Sequence, residues 1–67
     1  MRTTTETYKY VVRTNFLDHF ESKKALHHVE MMKHFLTEDA PKYQVTALDE
    51  LIEEYKEKVI EEILLVD

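Results

Sequence analysis

From Leu48 onward, apolar residues recur at three- and four-residue steps: Leu48, Leu51, Ile52, Tyr55, Val59, Ile63 and Val66. That period places them on one face of an α-helix, and a helix with one apolar face requires something to cover it. Thr46 followed by Asp49 resembles a capping box, so the sequence predicts an amphipathic helix over 47–64. A second such pattern, Ala25, Val29, Met32 and Leu36, predicts a helix over 23–36. Pro41 stops it from continuing through the connector Thr37–Pro41.

The segment before it allows two readings. One helix starting at Asn15 would have Asp18 in its first turn. Phe16, Leu17 and Phe20 would then lie nearly opposite Ala25, Val29 and Leu36, and the buried face would have to rotate by well over about 90°. The preferred reading ends an extended or hairpin segment near Phe20, with Ser22 capping the next helix. Further back, Tyr8, Tyr10 and Val12 alternate with Lys9, Val11 and Arg13, which reads as a half-buried strand. Tyr43 and Val45 suit a short third strand over 42–45. Residues 1–6 are polar and read as frayed. The expected fold is α+β: an N-terminal strand or hairpin, a possible short third strand, and two helices, all in a single domain over residues 1–67.

With 67 residues, such a domain buries only about 60% of the surface its unfolded chain exposes. Cysteine is absent, which excludes disulfides and thiolate metal sites. Self-association is the remaining common source of stability, and a homodimer joined through sheet edges or helices is expected. Glycine is absent too, which removes phosphate-cradling loops and glycine-flanked nucleophile turns. Asn15 is then the position best suited to a positive φ. No apolar run is long enough to span a bilayer. The composition suits a cytoplasmic protein.

Catalytic and metal chemistry find little support. Ser22 is the only serine and is better read as a helix cap. His27, Glu30 and His34 share one helix face at spacings suited to zinc, but that is the expected solvent face and Lys23 lies on it. Histidine density allows a pH switch, although exposed histidines are ordinary. No enzyme activity and no cofactor are expected. The tyrosines suit core-rim or interface roles.

Charge is the informative feature. Fourteen acids against nine bases give a net charge of −5. Residues 1–48 hold six acids and seven bases, net +1; residues 49–67 hold eight acids and two bases, net −6. All of the excess therefore lies in the last helix. Glu50, Glu53, Glu54, Glu57 and Glu61 fall opposite its apolar stripe and form one ridge about 16 Å long. Glu50/Glu54, Glu53/Glu57 and Glu57/Glu61 are like-charge pairs at i,i+4, and Glu54/Lys58 offsets only part of their cost. The helix dipole favours Asp49 and Glu50 near the N-terminus but disfavours Glu57, Glu61 and Glu62 near the C-terminus.

In size, acidity, lack of cysteine and this ridge, the chain looks like small phage-encoded DNA-mimic proteins. That resemblance implies an inhibitor that binds a basic nucleic-acid-binding protein of the host cytoplasm; the ridge itself offers Glu50, Glu53, Glu54, Glu57 and Glu61 as the contacts. It is a resemblance of composition and carries no signature motif. The alternative is a homodimeric regulatory adaptor that meets its partner through apolar contacts such as Met31, the tyrosines or the Ile63–Val66 tail. The net negative charge argues against nucleic acid or anionic lipid as a direct ligand.

Overall fold

The computed structural model describes residues 3–65 and is helical throughout. Helix α1 spans Thr4–Val12 and runs into a π-helical turn at Arg13–Leu17. Helix α2 spans Ser22–His34, and α3 spans Lys42–Leu65. No strand occurs among the described residues, so the α+β expectation is wrong: the Tyr8–Val12 strand is α1, and the short strand at 42–45 is the first turn of α3.

The strand reading failed because of Lys9. On a helix, Thr5, Tyr8, Lys9 and Val12 share one face, and all four are buried or half-buried. A lysine inside that face disguised the helical period as alternation. The N-terminus carries its own start signal. Thr3 accepts a hydrogen bond from the Glu6 amide at 3.1 Å, which satisfies one of the donors a helix start leaves open. Residues 3–6 are therefore a capped helix start, and the rest of the segment expected to fray, residues 1–2, lies outside the described residues.

The π turn solves the register problem at Asn15. The Asp18 amide donates to the Arg13 carbonyl five residues back, at 2.8 Å. This wider turn lets Val12 and Leu17, five apart, both enter the core. Asn15 has no positive φ; its side-chain amide donates to the Val11 carbonyl at 2.9 Å. Phe16 and Phe20 stay largely exposed. The chain breaks at 18–21, and extended Glu21, not Ser22, occupies the cap position of α2. The α2–α3 connector ends at Pro41, whose carbonyl accepts from Gln44. Proline suits that place because a helix start has no use for its missing N–H.

The elements pack around α3. Tyr8 meets Tyr43 edge to face at 5.7 Å, and Lys9 reaches Glu50 and Glu54, so α1 runs alongside α3 in the same direction. Ser22 touches Glu62 and Lys33 touches Asp49, so α2 runs antiparallel to it. Val12, Leu17, Ala25, Val29, Leu48, Leu51 and Tyr55 form the core. Each fully buried Leu or Val contributes about 1.5–3 kcal/mol. No described helix is long and apolar enough to cross a membrane.

Candidate functional site: the open half of α3

Helix α3 has 24 residues, about 36 Å, and its neighbours do not cover all of it. Its buried residues are Ala47, Leu48, Leu51 and Tyr55, and none follows Tyr55. The apolar stripe continues regardless. Val59 is half-buried, while Ile60 is 55% exposed, Ile63 65%, Leu64 68% and Leu65 81%.

Neighbours also decide what becomes of the carboxylates. Lys9 is only 7% exposed. Its ammonium lies 2.7 Å from Glu54 Oε2 and 3.0 Å from Glu50 Oε1, with Glu6 at 3.8 Å. Burial works to lower the Lys9 pKa, but hydrogen bonds and charge from Glu54 and Glu50 outweigh it and hold the group above its ordinary 10.5. A buried ammonium stays charged where carboxylates replace its water. Asp49 pairs with Lys33 of α2, and Glu62 accepts a hydrogen bond from the Ser22 hydroxyl at 2.8 Å.

The five-residue ridge is therefore not one surface. Glu50 and Glu54 turn toward α1 and are half-buried. Glu53, Glu57 and Glu61 are exposed. The expected Glu54/Lys58 pair does not form. Lys58 instead lies over the Tyr55 ring, 4.8 Å from its centre, a cation–π contact. Burial, then the charge of Asp18, raises the Tyr55 pKa above its ordinary 10.0. Lys9, Lys33 and Lys58 are engaged elsewhere and Lys56 stands exposed beside Glu53. Glu53, Glu57 and Glu61 form a row about 12 Å long at i,i+4 spacing that has no ion pair among the described residues.

No known protein family, curated protein or solved structure matches the chain.

The other candidates are scattered. His27, Glu30 and His34 are all exposed on α2, and no three His, Asp or Glu side chains among the described residues are grouped to hold a metal ion. An open groove of about 520 Å³ between α2 and α3 is lined by Glu30, Lys33, His34, Asp49, Ile52, Glu53 and Lys56. His28 stacks on Phe20 at 4.6 Å. Tyr55 is core, Tyr8 and Tyr43 are half-buried and Tyr10 is exposed. The Ser22 hydroxyl donates to the Glu62 carboxylate. Sequence reasoning missed Lys9 and Ile60. The signal for Ile60 was angular: Ile60, Ile63, Leu64 and Leu65 extend well beyond the width of a single buried stripe.

Proposed function

We propose that the chain is a non-enzymatic, acidic protein-binding module. Its Glu53–Glu57–Glu61 row would occupy a basic surface of a cytoplasmic partner, of the kind that holds nucleic-acid phosphates. One observation carries the reading: among the described residues Glu53, Glu57 and Glu61 form no ion pair, not even with the exposed Lys56 beside them, while Glu50, Glu54 and Asp49 are paired with Lys9 and Lys33. Three carboxylates at i,i+4 spacing give roughly one charge per 6 Å, sparser than the one per about 1.7 Å of duplex DNA. Binding is therefore electrostatic, salt-sensitive and weaker than that of a duplex for the same surface.

The test is capture of basic nucleic-acid-binding proteins on immobilised chain, at low and high salt, with and without competing DNA. Capture should fall with salt and with DNA. It should disappear in the triple variant Glu53→Lys, Glu57→Lys, Glu61→Lys while circular dichroism stays unchanged. Capture that survives the triple variant overturns the reading. The exposure of Ile60 and Leu64 favours a second reading, an adaptor that binds by apolar contact. Capture insensitive to salt but lost in Leu64→Ser would select it.

A further inference from the structure

The chain exposes 5283 Å², whereas a compact monomer of 8.1 kDa scales to about 4500 Å². The excess of roughly 800 Å² equals what each partner buries in a standard protein interface. The molecule measures 43 × 28 × 18 Å, and its longest helix continues beyond its last buried residue, Tyr55, as an exposed apolar strip. Ile60, Ile63 and Leu64 are neighbours on that strip, at the three- and four-residue spacings that bring side chains together.

We propose that this strip is covered by the same strip of a second copy of the chain, the two α3 helices lying antiparallel about a two-fold axis. The proposal does not rest on the function proposed above. A two-fold interface must be self-complementary, and a short apolar strip centred between Ile60 and Ile63 meets that demand. Ile60 of each copy lies opposite Ile63 of the other, with Val59 and Leu64 closing the edges.

Charge selects the direction. A parallel pairing would set like helix ends and like acid rows side by side. The antiparallel pairing brings the exposed Lys56 of each copy toward the last turn of the partner's α3. That turn contains no base of its own, and its carbonyl end carries partial negative charge. The two-fold axis stands perpendicular to the plane of the paired helices. It therefore carries the Glu53–Glu57–Glu61 row of each copy to the same side, which doubles the acidic surface instead of burying it.

Light scattering over a concentration series should show the mass rising from 8.1 kDa toward twice that value. Leu64→Ser should weaken the dimer by about tenfold, as truncation of a buried contact does. Ile60→Lys should leave a monomer of unchanged helicity. The chain contains no cysteine, so single-cysteine variants locate the axis without interference. In the proposed register two Ile60 positions lie about 5 Å apart along the helix axes and two Glu53 positions about 25 Å apart. Oxidation should cross-link Ile60→Cys and not Glu53→Cys. The Glu53→Lys, Glu57→Lys, Glu61→Lys variant should lose capture of a basic partner yet remain dimeric, which separates the two proposals. A mass of one chain at every concentration overturns the pairing. So does a dimer that survives Ile60→Lys, or one that cross-links through Glu53→Cys in place of Ile60→Cys.

Discussion

The two halves of α3 have similar raw material and opposite fates. Both carry an apolar stripe and a dense set of carboxylates. In the first half, Leu48, Leu51 and Tyr55 are sealed into the core. Three of the four acids there meet a base from another helix, Lys9 from α1 for Glu50 and Glu54 and Lys33 from α2 for Asp49, and Glu53 stays exposed. In the second half, Ile60, Ile63 and Leu64 face outward, and Glu57 and Glu61 are exposed. The difference is not in the helix but in its neighbours: α1 and its π turn end their contribution to the core at Leu17, and α2 has its first turn beside Glu62. A residue's role in this chain follows from what packs on it, not from its type or its place in the period.

The largest expected effect separates the halves on the apolar side. Leu51→Ala should cost about 2–5 kcal/mol of unfolding free energy, from lost transfer and a core cavity. Ile63→Ala, measured at a dilution where the chain is monomeric, should cost less than about 0.5 kcal/mol. Urea denaturation of both variants checks this; equal costs would erase the distinction. On the charged side, Lys9→Met should cost about 1–3 kcal/mol. Breaking a buried pair is expensive, but Glu50 and Glu54 are half-exposed and can regain water. Lys58→Met, which removes a cation only from the surface of the Tyr55 ring, should cost a few tenths of a kcal/mol. Removing the α1 cap with Thr3→Ala should cost up to about 1 kcal/mol, seen as a lower thermal midpoint.

Alkali should act on the same contact more gently. Lys9 has a folded pKa raised above 10.5. Its contribution is therefore complete below 10.5 and is lost as pH rises through the folded value. Tyr55 acts in the same direction: its folded pKa lies above 10.0, so the unfolded chain ionises first and stability falls as pH rises from there. Thermal melts between neutral pH and this alkaline range should show a decline. The decline should be shallower in Lys9→Met and shallower still when Tyr55→Phe is added.

The same dependence on neighbours explains what the sequence could disclose. The α3 stripe was legible because Leu48, Leu51, Ile52, Tyr55, Val59 and Ile63 keep the helical period; Val66, the last residue of that pattern, lies outside the described residues. The break before α2 was legible because Phe16 and Leu17 are out of phase with Ala25 and Val29. Helix α1 was not, since Lys9 occupies a buried position that only Glu50 and Glu54, some forty residues away in the chain, make tolerable. The capped start at Thr3 and Glu6 was legible in principle but was obscured by the apparent strand that follows. The π turn depends on Val12 and Leu17 both entering the shared core, which no local signal announces. The ridge was half legible: helical spacing aligned its five glutamates, but only packing separates Glu50 and Glu54 from Glu53, Glu57 and Glu61.

Amide hydrogen exchange along α3, followed as protein concentration rises, tests the contrast between the halves most directly. At high dilution, amides from Leu48 to Tyr55 should exchange slowly and those from Ile60 to Leu65 quickly. Raising the concentration should slow exchange from Ile60 to Leu65 and leave Leu48 to Tyr55 unchanged. Uniform protection along the helix at dilution, or a C-terminal half whose exchange ignores concentration, would contradict the account.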